Sequence, residues 1–318
     1  MSTHANPLRP LLLYVAAAIL AGSLLAYPAH AALTPFVDWP LHRVMRRTMM
    51  LTILAGIPFF LAATGARGRT LLGFGCAPGR FFMMVGASFA VGLLTVLPPL
   101  AVLLALGLRI PSVSPAEMLH DLPATAATAV LAALTVGLIE EAYFRGALMG
   151  AWLRQQRIGQ ALIATSLFFA IAHFLVAERV PAEVRWYSGL ELVAAGVAGL
   201  FAQAHSIGAF LALLAAGLLL GALRIRFGNI GPCIGFHAGW VAAITAMHRL
   251  TDLRPDHELA WLVGDTDGVM GWLALGWIVL LSAAYFAFGG GRGLIVEAPP
   301  PLASGSRSAS GGTRRSGR

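Results

Sequence analysis

Charge is scarce in this sequence. Only 11% of its 318 residues are Asp, Glu, Lys or Arg, while 58% are hydrophobic and the mean hydropathy is +0.77. A soluble domain carries about a quarter charged residues, so a soluble globular chain of this length is excluded. The composition reads instead as a polytopic helical membrane protein. Cysteine is scarcer still. Cys76 and Cys233 lie far apart with no CxxC pattern, which argues against a disulfide framework or a thiolate zinc site. Cys233, beside the Gly231-Pro232 turn, reads as a small buried residue rather than a nucleophile. Three protease signatures are missing as well. The nearest approach to HExxH, His257-Glu258-Leu-Ala-Trp261, ends in tryptophan and sits in an acidic loop. There is no GxSxG, and Asp265 and Asp267 fall in a loop rather than a span. No internal repeat supports an inverted-repeat transporter.

The apolar runs are what remains. They predict an all-α transmembrane bundle of about eight spans, near residues 11–33, 44–64, 81–108, 124–153, 158–177, 207–223, 233–250 and 270–288. Residues 109–122, with Pro111 and Pro115, read as a loop, and Pro98-Pro99 as a kink in the third span. Ala29-His30-Ala31 resembles a signal-peptidase site, but the apolar run before it is long, and an uncleaved first span is the preferred reading. Residues 189–205 are apolar but short, and read as an interfacial or re-entrant helix, with a full span as the alternative. The organisation is therefore three N-terminal spans (1–123), a core carrying the motifs (124–288) and a basic tail (289–318) rich in Gly, Ser, Pro and Arg, expected to be disordered.

The net charge of +8 does not point to nucleic acid, because the arginines sit in short loops and the tail, as topology signals do. With both termini cytoplasmic, the arginine loops at 67–80, 154–157 and 224–226 fall inside and the acidic loop after residue 250 falls outside. The cluster Arg43–Arg46–Arg47 is the exception. Such a protein is expected in the cell membrane, with lipids as its surroundings.

One stretch breaks the apolar pattern: Gly137-Leu-Ile-Glu140-Glu141-Ala-Tyr-Phe-Arg145-Gly146. A charge at membrane depth costs about 2.5–3.5 kcal/mol or more, so such residues are rare and usually functional. Glu141 and Arg145 are four apart on a helix and can pair. Glu140 is turned away by about 100° and has no partner in its own helix. Two further spans bring polar groups, His173 and His237. A desolvated carboxylate can act as general base on water, and a histidine can orient that water or stabilise charge.

These residues also resemble a known family. Glu140-Glu141-xxx-Arg145, then Phe169-xxx-His173, then His237 preceded by Gly228-Asn229, are similar to the three ordered motifs of the CPBP family, the type II CAAX-prenyl-endopeptidase-like and bacteriocin-processing membrane proteins. The Gly217-Leu-Leu-Leu-Gly221 run fits as well, and the resemblance covers roughly residues 131–248. It implies an intramembrane glutamic endopeptidase needing neither metal nor other cofactor. Glu140 would activate water held also by His173; Glu141 and Arg145 would lock the helix; His237 would serve the oxyanion side; Phe169 would wall the cavity. The substrate would be a hydrophobic or lipidated peptide. The sequence departs from the family at Val241, four after His237, where a polar residue is usual. The Trp240 indole N–H, the Asn229 side chain or a backbone N–H are the candidate substitutes. Three rival readings stay open: a catalytically impaired scaffold or immunity protein of the same family, a zinc endopeptidase on the same Glu and His residues, and a proton-coupled carrier.

Overall fold

In hydrocarbon every backbone N–H and C=O must find its partner within the protein, and a helix does this locally. The computed structural model describes residues 7–155, 157–178, 181, 183–202, 204–264 and 268–289. Helices dominate it, as the apolar runs require. They are α1 (Leu8–Leu33), α2 (Leu41–Thr64), α3 (Pro78–Ala105), α4 (Pro115–Glu141), α5 (Met149–Leu153), α6 (Ile158–Phe174), α7 (Ser188–Ala202), α8 (Ala204–Phe227), α9 (Gly231–Leu250) and α10 (Trp272–Ala284). A π-helical turn, Ala142–Leu148, joins α4 to α5 as one continuous rod. The expected tail from residue 290 onward, Arg179, Asp265 and Asp267 lie outside the described residues.

Among the described residues, five stretches are long and apolar enough to cross a bilayer: Leu8–Leu33, Leu41–Thr64, Pro78–Ala105, Ala116–Leu153 and Ile207–Phe227. That is fewer than the expected count. The other three expected crossings are α6 and α10, which are shorter, and α9, which is long enough but less apolar. The segment expected to lie at the interface is α7, whose 15 residues extend only about 22 Å against a hydrocarbon core of about 30 Å.

One local expectation needs correction. The loop expected at 109–122 is mostly helix, because Ser114-Pro115-Ala116-Glu117 is a capping box. The Ser114 hydroxyl accepts from Glu117 N–H at 3.3 Å and the Glu117 carboxylate accepts from Ser114 N–H at 2.9 Å, with Pro115 at the first helical position. Before it, β1 (Arg109–Pro111) pairs antiparallel with β2 (Thr251–Leu253), and Arg109 closes this ribbon with bonds to the Thr251 hydroxyl (2.8 Å) and carbonyl (2.9 Å). Pro98-Pro99 lie inside α3 without ending it.

The arginine loops meet at one end. Arg154 donates to the Thr64 carbonyl at 2.8 Å, Arg224 to the Leu71 carbonyl at 2.8 Å, and Ile230 N–H to the Gly73 carbonyl at 3.0 Å. Arg43, Arg46 and Arg47 begin α2, so they sit at the opposite end from Thr64.

Helix α9 is the axis of the bundle, packed on α3, α4 and α8. Side chains gain little hydrophobic drive when the alternative is lipid, so close backbone approach carries the packing. Glycine permits it here. A Cβ on Gly235 would lie 2.1 Å from the Val85 carbonyl oxygen, one on Gly239 2.4 Å from that of Phe89, and one on Gly92 2.3 Å from that of Phe236. On the other flank Gly137 approaches the Ile234 carbonyl. Gly235→Ala must therefore push α3 off α9, and overpacking of this kind costs about 1–3 kcal/mol. The expected outcome is a lowered melting temperature in detergent for Gly235→Ala and none for Gly276→Ala, whose added Cβ meets nothing within 4 Å.

Candidate active site

The site begins with one buried carboxylate. Glu141 ends α4, and its side chain is fully buried. Its Oε1 accepts from Arg145 Nη1 at 2.8 Å and from His237 Nδ1 at 2.9 Å. The expected pair forms, and a histidine from α9 joins it. A carboxylate only accepts, so His237 carries a proton on Nδ1 and directs Nε2 away from Glu141.

Arg145 is also fully buried, in the middle of the π turn. Its Nη2 donates to the Gly217 carbonyl at 3.2 Å, and its guanidinium lies 4.5 Å over the Phe169 ring. Gly217 can present that carbonyl because a Cβ there would lie 3.0 Å from Ser166, so α8 and α6 touch at this point. Gly217 is thus a close-packing residue between these two helices. On the other side, Arg224 donates from Nε to the Arg145 carbonyl at 3.2 Å. π turns interrupt the regular helical ladder and occur often at functional sites; this one has its Arg145 carbonyl held from α8.

Phe169 joins the two histidines. Its ring centre is 4.6 Å from that of His173 and 5.9 Å from that of His237, both edge-on. Its own backbone carbonyl accepts from His173 Nδ1 at 2.8 Å. A carbonyl cannot donate, so in neutral His173 the Nε2 bears the lone pair. His173 is half-buried in the last turn of α6, where His237 is nearly enclosed.

Glu140 stands beside this cluster without joining it. The residue is half-buried, yet its Oε2 is enclosed with no hydrogen-bond partner among the described residues. It is within electrostatic reach of His237. A buried acceptor without a partner costs about 1–3 kcal/mol or more, and that cost is recovered by any donor brought to it, a water or a substrate N–H. Glu141 Oε2 is likewise an enclosed acceptor without a partner, and Arg145 Nε is an enclosed donor that would need an acceptor.

Two supporting residues go elsewhere. Trp240 donates its indole N–H to the Thr95 hydroxyl at 3.0 Å and lines a small apolar cavity of about 20 Å³ between α3, α9 and α10, with Trp277 and Met270. Positions 237 and 240 lie only about 60° apart around the helix, but the indole is drawn to Thr95 of α3 while His237 meets Glu141 of α4. Asn229 spends both ends of its amide, donating to Cys76 Sγ at 2.6 Å and accepting from Gly231 N–H at 2.6 Å, which opens α9. Neither is placed to replace a donor lost at Val241, which packs against Ala133, Ala238 and Ala242. Cys233 is buried and donates to the Leu220 carbonyl at 3.2 Å, as a structural thiol does. Among the described residues no three His, Cys, Asp or Glu side chains are grouped closely enough to hold a metal ion.

Sequence spacing could not reveal Arg224. It is a basic residue at a span end, where topology alone explains an arginine, and its role as a buried clamp on Leu71 and Arg145 appears only in three dimensions.

Removing Arg145 would leave Glu141 buried without its arginine counter-ion, with His237 as its remaining partner, and breaking a buried pair in this way costs about 3–5 kcal/mol. Arg145→Met is expected to unfold the protein at markedly lower temperature. The double variant Glu141→Leu/Arg145→Met removes both charges and is expected to recover part of that loss. Thermal melts in detergent of the single and double variants check this.

Residues 122–243 match the family model described as Type II CAAX prenyl endopeptidase Rce1-like. No curated protein and no solved structure matches the chain. The match contains Glu140, Glu141, Arg145, Phe169, His173 and His237, and the apolar helices around them make this an integral membrane protein. Over this region the chain is similar to the type II CAAX prenyl endopeptidase Rce1-like family.

Proposed function

We propose that this protein is an intramembrane endopeptidase that hydrolyses a peptide bond with water activated by Glu140. The observation carrying this reading is the contrast between adjacent acids. Glu141 holds Arg145 and His237 through Oε1, although its Oε2 is unpartnered, while Glu140 is engaged by no hydrogen bond or ion pair among the described residues.

The chemistry follows from what each atom can do. Glu140 takes a proton from water, and the oxygen attacks the carbonyl carbon of the scissile bond. His173 Nε2 accepts the other water hydrogen and holds the nucleophile in place. The carbonyl becomes a tetrahedral oxyanion. His237 can donate to that oxyanion from Nε2 when it carries both protons, with the Glu141 carboxylate beside its Nδ1 as counter-charge. Protonated Glu140 then returns its proton to the departing amine, and the C–N bond breaks. The substrate is a hydrophobic or lipidated peptide, because the site lies on apolar helices. The clustering of the arginine loops at one end supports a cell-membrane protein with that end, and both termini, in the cytoplasm.

A second reading has its own observation. With Val241 in the alanine packing, Trp240 on Thr95 and Asn229 on Cys76, α9 offers His237 as its side-chain donor toward the cluster, and losing one oxyanion donor costs about 10²–10³ in rate in other enzymes. A slow or inactive scaffold that binds the same class of peptide fits this.

The test uses purified full-length protein in detergent with peptides from membrane and lipoprotein precursors, read by mass spectrometry. Cleavage by wild type, lost in Glu140→Gln and His173→Ala and indifferent to a strong chelator, is the expected result. Cleavage abolished by chelator would move the chemistry to a metal on these residues. Cellular function retained by Glu140→Gln, with no cleavage by any form, would favour the scaffold.

A further inference from the structure

One arginine cluster stands apart from the loops that signal topology. Arg43, Arg46 and Arg47 occupy the first turns of α2 at i, i+3 and i+4, which is one helix face. All three are exposed, whereas Leu41, Val44, Met45 and Thr48 on the opposite face are buried. Arg47 stacks over Trp39 at 4.3 Å and donates to the Arg43 carbonyl at 2.9 Å. Arg46 pairs with Glu178 at 2.9 Å and reaches the Val176 carbonyl at 3.4 Å. The other acid near in sequence, Asp38, is exposed and forms no ion pair among the described residues. One carboxylate thus answers three like charges held within two turns, where like-charge neighbours repel.

The same face continues downward in steps of four as Leu51, Ala55 and Phe59, all exposed, Leu51 at 62% and Phe59 at 78%. From Arg47 to Phe59 the helix rises about 18 Å, and one leaflet of hydrocarbon is about 15 Å. A cationic head above an apolar strip one leaflet long complements a phospholipid in both charge and length. Trp39 lies at the head, where aromatic side chains favour the headgroup level. A free phosphate would use the arginines alone and leave the strip unexplained.

We propose that this face of α2 binds an anionic phospholipid, with Arg43 and Arg47 holding its phosphate and one acyl chain lying over Leu51 and Phe59. The site borders the chain that leaves the His173 helix, because Arg46 grips Val176 and Glu178 just beyond it.

Full-length protein is loaded with phosphatidylglycerol or phosphatidylcholine in detergent micelles, and retained lipid is read by native mass spectrometry. Wild type is expected to retain phosphatidylglycerol preferentially. Arg43→Gln/Arg47→Gln should weaken that retention by about tenfold or more, near the contribution of two basic residues at a membrane surface. Arg67→Gln/Arg69→Gln removes the same charge at the other end and should leave retention unchanged. Leu51→Ser/Phe59→Ser should keep the headgroup preference but hold less lipid. The proposal is overturned if the Arg43/Arg47 variant retains phosphatidylglycerol like wild type, or if wild type shows no headgroup preference. It is equally overturned if the Leu51/Phe59 variant holds as much lipid as wild type, or if millimolar inorganic phosphate strips the lipid, which would indicate a site for free phosphate.

Discussion

A single carboxylate that must stay charged in an apolar interior constrains this protein more than any other group. Glu141 is fully buried, and burying an ion costs several kcal/mol unless its lone pairs are engaged. Its Oε1 engages Arg145 from its own rod and His237 from α9, while Oε2 has no partner among the described residues. Arg145 then has to be satisfied in turn, and it draws the Gly217 carbonyl of α8 and the face of Phe169 from α6. Four segments of chain are thereby fixed around one charge. The histidine of α6 enters through Phe169, which lies against its ring and accepts its Nδ1 proton.

The surrounding backbone is shaped to allow this. Gly217 admits α8 to α6, Gly137 admits α4 to α9, and Gly235 and Gly239 admit α3 to α9. Without these approaches the polar groups would stand too far apart to pair, and each would be an unpaired ion at depth. The π turn brings a further demand, since the Arg145 carbonyl bonds outside its own rod; Arg224 meets it while tying down Leu71. Packing and electrostatics therefore serve the same end. They hold Glu141 still, and Glu140 is left as the acid that no hydrogen bond or ion pair engages among the described residues.

Much of this was legible in the chain. Hydropathy located nearly every helix because lipid imposes a plain rule on composition, and the Glu141–Arg145 spacing announced the ion pair. The misses have local causes. The capping box at Ser114–Glu117 was readable but overshadowed by three nearby prolines, Pro111, Pro115 and Pro123, which suggested a loop. The destinations of Trp240 and Asn229 depend on which way α9 turns and on the loop near Cys76, and neither is encoded in spacing along one helix. The link from His237 to Glu141 rather than to Glu140 is a contact between helices almost a hundred residues apart in sequence, beyond what helix periodicity can reach. The family motifs named the participants; the geometry assigned their partners.

The central claim is a division of labour between adjacent acids, and comparing the thermal melts of Glu140→Gln and Glu141→Gln in the same detergent tests it most directly. The account predicts that Glu140→Gln melts at or above the wild-type temperature, because no hydrogen bond or ion pair among the described residues is lost with that carboxyl group. Glu141→Gln should melt well below it, because Arg145 loses its counter-ion. The reverse order, with Glu140→Gln the destabilised variant and Glu141→Gln unchanged, would contradict the account.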